Sequence, residues 1–281
     1  MSRSRIAPPV PKEEVRFEFG NNWRNFLTVF NDDRLRRAEE SLITMLGMET
    51  LAGKRFLDIG CGSGLFSLAA RRLGAEVTSF DVDSASVACT VELKRRYYGD
   101  DPFWIVARAS VLDSDYLQSL GTFDVVYSWG VLHHTGAMWT AVENALRSVR
   151  PRGQLFIALY NDQGAKSRWW VRVKRTYNRL PARLKPLYML LFGIAFESAA
   201  VLVALARLNL RNIVNRWTKY ENVRGMSRWH DVVDWVGGYP FEVATPDAVS
   251  DFCRRKGFDL VKLKTCGGKL GCNEFVFERN R

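Results

Sequence analysis

Three glycines at alternate positions, Gly60, Gly62 and Gly64, follow a short apolar run that carries Asp58. Glycine adopts backbone conformations closed to other residues and leaves no side chain between the chain and a ligand. A helical pattern begins at Leu65, so the unpaired amides of a helix start face the same turn. A second apolar run, EVTSFD, ends in Asp81. A carboxylate there can accept hydrogen bonds from both hydroxyls of a ribose. This chemistry is the holding of a nucleoside-bearing cofactor. Dinucleotide loops require GxGxxG, the last glycine packing helix on strand. Here the spacing is GxGxG, with Leu65 where that pattern wants glycine, and no lysine follows as in a P-loop.

A second group of residues has acid–base character. His133 and His134 follow a run, FDVVYS, that reads as a strand, and Tyr160, Asn161 and Asp162 close the run QLFIALY. Histidine is the usual group for taking a proton from a hydroxyl. His133, His134 and Asp162 are therefore the catalytic candidates. Each also has a plain structural alternative: a histidine bonded to nearby backbone, or an aspartate capping the next helix. His230 lies further along, in an aromatic stretch.

Placing these groups at one rim needs a particular architecture. Residues 55–60, 76–81, 103–108, 123–128 and 154–160 read as strands, and 65–73, 84–97 and 138–149 as helices, the last ended by Pro151 and Gly153. That alternation predicts an α/β fold with a doubly wound, mostly parallel sheet, whose ligands bind at the carboxyl ends of the strands. Near Pro246 the pattern resumes with a helix, then strands 258–264 and 274–278, a pairing expected to form an antiparallel hairpin at the sheet edge. The expected divisions are an N-terminal tail with capping helices (1–50), a cofactor-binding core (51–160), a helical lid insertion (161–245) and a closing helix and hairpin (246–281). The chain has 281 residues, 47% hydrophobic and 25% charged, the mix of a folded globular protein. Five cysteines without a close pair suggest neither a disulfide framework nor a metal site, and fit a reducing cytoplasm. Residues 1–14 do not read as a secretory signal.

At this point the sequence resembles the class I S-adenosylmethionine-dependent methyltransferases that act on small molecules. The matching stretches are LDIGCGSG (57–64), VTSFDVD (77–83), ASVLD (109–113), FDVVYSWGVLHHTG (123–136) and RPRGQLFIAL (150–159). The resemblance implies a Rossmann-like methyltransferase fold and S-adenosylmethionine as cofactor. It places Gly60, Gly62 and Gly64 beneath the methionine part, with Asp58 orienting that loop. It gives Asp81 the ribose hydroxyls, Val82 the adenine face, and Ser110 and Val111 the adenine edge, although many relatives carry aspartate at the place of Ser110. The backbone carbonyl of Ser128 falls to the cofactor's amino group. The segment RFEFGNNWRNFL (16–27) is similar to an N-terminal helix that closes over the cofactor in some members, which brings in Asn22 and Trp23. SWGV after the fourth strand lacks the Asn-Pro-Pro-aromatic signature of enzymes that methylate base or glutamine amides.

The acceptor is less legible. The expected reaction is methyl transfer to oxygen or nitrogen of a small organic molecule. A lipidic or quinone-like acceptor at a membrane surface and a non-catalytic cofactor-binding protein stay open beside it. The insertion motivates the lipidic reading. Residues 161–245 hold 14 Lys/Arg and 6 Asp/Glu, an excess of 14 − 6 = +8 out of +11 for the chain. Its first part is basic and aromatic, and 187–206 is almost wholly apolar apart from Glu197. It reads first as a buried lid helix pair broken near Gly193, second as a segment in peripheral membrane contact through 166–211, and last as a membrane crossing. Nucleic acid is disfavoured as a partner, because no RNA-binding module is recognisable. Tyr239 and Phe241 belong to a turn-rich loop expected to fold over the crevice.

Overall fold

The computed structural model describes residues 30–206 and 236–281. Within them, helix α1 (Asp32–Leu46) precedes an alternating run: β1 (Arg55–Ile59), α2 (Leu65–Arg72), β2 (Glu76–Asp81), α3 (Ser84–Tyr98), β3 (Trp104–Arg108), α4 (Ser114–Leu120), β4 (Phe123–Trp129), α5 (Met138–Arg147) and β5 (Val149–Tyr160). Then come α6 (Ala165–Arg179), α7 (Lys185–Ala206), α8 (Pro246–Arg255), β6 (Phe258–Lys264) and β7 (Cys272–Arg279). The seven strands form one sheet in the order β3-β2-β1-β4-β5-β7-β6. The first five are parallel, while β7 runs antiparallel to both β5 and β6. The doubly wound sheet and its C-terminal hairpin are thus as the sequence predicts.

Alternation along each strand sends side chains into two cores. Leu57, Val126, Leu155, Ile157, Phe275 and Phe277 meet α5 and α8 on one face. Phe56, Val77, Val125, Phe156 and Val276 meet α1, α2 and α3 on the other. The sheet order reverses beside β1, so the ends of β1 and β4 open the crevice where ligands of such sheets bind.

Two expectations need correction. β5 starts at Val149, not at Gln154, and contains Pro151 and Gly153. Its register against β4 shifts between the Phe123 and Val125 pairs, and Arg152 is left-handed at φ 59°. Such a bulge tolerates a proline without an amide. Gly153 is needed there, because a Cβ would stand 2.9 Å from the carbonyl oxygens of Arg150 and Asp124. The second correction concerns the apolar insertion. The helix pair breaks at Leu180–Pro181, where Leu180 is extended before proline, and α7 runs unbroken through Gly193. A single interior glycine costs a helix only about 1 kcal/mol relative to alanine. Nor is the first part of α7 buried: Leu187, Leu190, Leu191 and Ile194 are each about half exposed. Among the described residues, no helix is long and apolar enough to cross a membrane.

Candidate active site

The glycine turn is pinned to the end of β2. The amides of Gly60 and Cys61 both donate to the Phe80 carbonyl, at 2.8 and 3.1 Å. The amide of Gly62 donates to Asp81 Oδ2 at 3.0 Å, and that of Asp83 to Asp81 Oδ1 at 2.9 Å. The Asp81 carboxylate therefore faces the turn. Two of its roughly four acceptor positions are used, which leaves capacity for hydroxyl groups. Burial pushes the Asp81 carboxyl above the usual carboxylate range, against the pull of those amides. From below, Thr90 on α3 donates to the Gly62 carbonyl at 3.2 Å. Gly60 has φ 76°, and a Cβ there would lie 2.4 Å from a Val131 methyl. The Ala109 amide donates to the Asp81 carbonyl at 3.0 Å, which brings Ser110 and Val111 beside the same corner. Ser128 is buried and its hydroxyl donates to the Ile59 carbonyl at 3.0 Å, tying β4 to the strand that enters the turn.

Asp58 supports the turn from behind. Its carboxylate accepts from Ser67 on α2, Ser67 and Ser79 hydroxyls meet at 2.7 Å, and Trp104 Nε1 donates to Ser79 at 3.0 Å. Burial drives the Asp58 carboxyl up to about 7. The native state then holds a proton that the unfolded chain has released between roughly pH 4 and 7, so this group costs stability as pH rises through that window. Asp58→Asn removes the ionisation and keeps an oxygen for Ser67. Chemical denaturation at several pH values should find its stability gain growing from pH 4 to pH 7 and level above. A gain independent of pH would contradict the buried ionisation.

Across the crevice, His133 and His134 lie on a short 3₁₀ turn, Leu132–His134, after β4. The Tyr160 amide donates to His133 Nδ1 at 3.3 Å, so the His133 proton sits on Nε2, a buried atom without a hydrogen-bond partner among the described residues. His134 Nδ1 meets the Pro240 carbonyl at 2.6 Å and must donate to it, which leaves Nε2 as the nitrogen with a lone pair. Burial lowers both rings, His133 well below its usual value and His134 to about 3, and the nearby Lys174 ammonium adds to this. Both are neutral at ordinary pH. The Tyr160 ring lies tilted against His133, with ring centroids 4.0 Å apart.

Loop 236–245 locks this wall. Glu242 donates its amide to the His133 carbonyl and accepts from the Met138 amide at the start of α5. Ala244 pairs with Tyr160 and Asp162, and Phe241 packs 5.1 Å from the Tyr160 ring. Asp162 Oδ1 accepts from the Gly164 amide at 2.7 Å, shaping the turn into α6. From α6, Trp170, Val173 and Tyr177 join Phe241 and Met189 in a third apolar cluster. Lys174 is fully buried beside it, its ammonium 4.8 Å from the Phe241 ring centre.

A sequence profile of the family described as a methyltransferase domain matches residues 30–186. The chain belongs to this family of S-adenosylmethionine-dependent methyltransferases. The "Ubiquinone biosynthesis O-methyltransferase" of Xanthomonas oryzae is 31% identical over 111 residues, 40% of this chain and 45% of the relative. The chain thus spans about half the length of the curated relatives it matches. Among solved structures, an O-methyltransferase family protein from Burkholderia thailandensis aligns at 13% identity with a TM-score of 0.55, covering 93% of this chain and 61% of that one. The magnesium protoporphyrin IX methyltransferase of Synechocystis PCC 6803 aligns at 11% identity with a TM-score of 0.54, covering 92% and 94%. At such identity these two carry the fold alone.

The methyltransferase gathers Asp58, Gly60, Gly62, Gly64, Asp81, Val82, Ser110, Val111 and Ser128 around the ends of β1, β2, β3 and β4. It sets His133, His134 and Asp162 along the facing rim. Asn22, Trp23 and His230 lie outside the described residues. Lys174, the Pro240 carbonyl and Glu242 were not singled out from sequence. Lys174 carried a signal: it shares the helical face of Trp170, Val173 and Tyr177, where an isolated lysine among apolar neighbours is unusual. The Pro240 and Glu242 contacts span more than a hundred residues and had none.

Proposed function

We propose that this methyltransferase moves a methyl group from S-adenosylmethionine to an oxygen or nitrogen of a small organic molecule, with the acceptor entering between Tyr160, His134 and loop 236–245. The observation that carries the cofactor half is the Asp81 carboxylate facing the Gly62 amide across a turn that has no room for a Cβ at Gly60. When bound, the cofactor supplies a methyl group on positively charged sulfur, so the protein has mainly to align and exclude water. Gly60, Gly62 and Gly64 carry the methionine part, Asp81 takes the ribose hydroxyls, and Val82, Ser110 and Val111 flank the base. On the acceptor side, Trp170, Tyr177 and Phe241 keep water from the wall. His134 offers an unprotonated Nε2 to an acceptor hydroxyl, while His133 can only donate. Asp162 positions the turn into α6.

A lipidic or quinone-like acceptor is the second reading. Its supports are the apolar cluster behind the histidines and the ubiquinone-biosynthesis relatives. The experiment is a screen of acceptors with radiolabelled methyl donor, paired with calorimetry of S-adenosylhomocysteine binding. Transfer to phenols or amines supports the proposal, and transfer only to long-chain quinols supports the second reading. Absence of cofactor binding sinks both.

A further inference from the structure

The hairpin α6–α7 shows an uneven distribution of charge and apolar surface that methyl transfer does not require. Residues 163–196 contain eight Lys/Arg and no Asp or Glu. On α6, Arg168, Arg172, Arg175 and Arg179 recur at helical spacing and are exposed, with Lys166 before them and Arg183 after. Among the described residues, Lys166, Arg168, Arg172, Arg179 and Arg183 form no salt bridge. On α7, Leu187, Leu190, Leu191 and Ile194 stand at i, i+3, i+4 and i+7, with exposures of 56, 49, 59 and 55%. That spacing makes one continuous apolar stripe. The opposite side of the same turns is used: Met189 is buried, and Tyr188 and Phe192 pack into the third cluster. Trp169, 48% exposed, stands at the junction, its ring 6.2 Å from Phe192.

We infer that this hairpin is a docking surface for a bilayer carrying anionic lipids. Charge complementarity selects the occupant. An acid-free stretch with seven cations besides the buried Lys174 is drawn to a negative leaflet, and the cations weigh about fivefold each in partition near such a surface. The aliphatic stripe then supplies what phosphates alone cannot use, an apolar face that enters the acyl boundary, with Trp169 suited to the interface. A nucleic acid would satisfy the arginines and leave four aliphatic side chains in water. The inference concerns recruitment of the protein and stands apart from which acceptor is methylated.

The test is flotation of the full chain with vesicles of phosphatidylcholine, alone and mixed with phosphatidylglycerol. The chain should float with the mixed vesicles only, and salt should release it. Leu187→Glu with Leu191→Glu should abolish flotation, and Arg168→Gln with Arg172→Gln should weaken it roughly 25-fold, from fivefold per cation. Both variants should bind S-adenosylhomocysteine as the parent does, which checks the fold. Three results would overturn the inference: no flotation with mixed vesicles, flotation indifferent to the leucine changes, or a dimer in sedimentation that those changes split. Binding of polyuridylate that the leucine changes leave intact, with no flotation, would assign the cations to RNA instead.

Discussion

Asp81→Ala is expected to weaken S-adenosylhomocysteine binding by about 1–3 kcal/mol, a roughly 5- to 150-fold rise in Kd, while the fold survives. The Gly62 and Asp83 amides lose their carboxylate acceptor in the variant, but the substitution also removes a charge that burial already disfavours. These effects oppose each other in stability and add against the ligand, whose hydroxyls lose their acceptors. Asp81→Asn should fall between, because its amide oxygen still receives the Gly62 amide. Since the ionised form is the acceptor and its pKa lies above the ordinary carboxylate value, affinity of the parent should decline on acidification before that of a typical exposed aspartate would. Calorimetry at two pH values measures both effects. An unchanged Kd in Asp81→Ala would remove the ribose role and, with it, the cofactor assignment built on that corner.

The cofactor side was legible because its determinants are local. Gly60, Gly62 and Asp81 sit at strand ends, and alternation marks those ends within a residue: β2 and β6 lie where the sequence places them. Local rules failed where tertiary contact overrides them. Pro151 and Gly153 look like breakers, yet a bulge against β4 absorbs both inside β5. The run 187–206 looks like core, yet only one side of its first turns finds a partner, because α6 and Phe241 supply a single small cluster. The acceptor wall was least legible. Loop 236–245 returns from far along the chain to cap α5, bond His134 and cover Tyr160, and nothing in 131–162 announces that visitor.

That returning loop makes the role of His134 separable by substitution. Its Nδ1–H holds the Pro240 carbonyl, and its Nε2 is the nitrogen that can take a proton. If Nε2 takes the proton of an acceptor hydroxyl, His134→Ala lowers kcat by about 10²-fold, the lower end of the range for a general base, because a ring lowered to about 3 is a weak proton acceptor. Asparagine divides the two functions, since its amide can still donate towards Pro240 but cannot serve as a base. His134→Asn should therefore keep the fold and the Kd for S-adenosylhomocysteine, yet lose nearly as much kcat as alanine, with KM little changed. The pH profile gives an independent check. With the ring lowered to about 3, the base form persists across the working range, so the parent should show no loss of rate from this group until pH falls towards that value. Were asparagine to retain the parent's kcat, the ring would be a strut for the loop. Methyl transfer would then rest on alignment alone, as an amine acceptor allows.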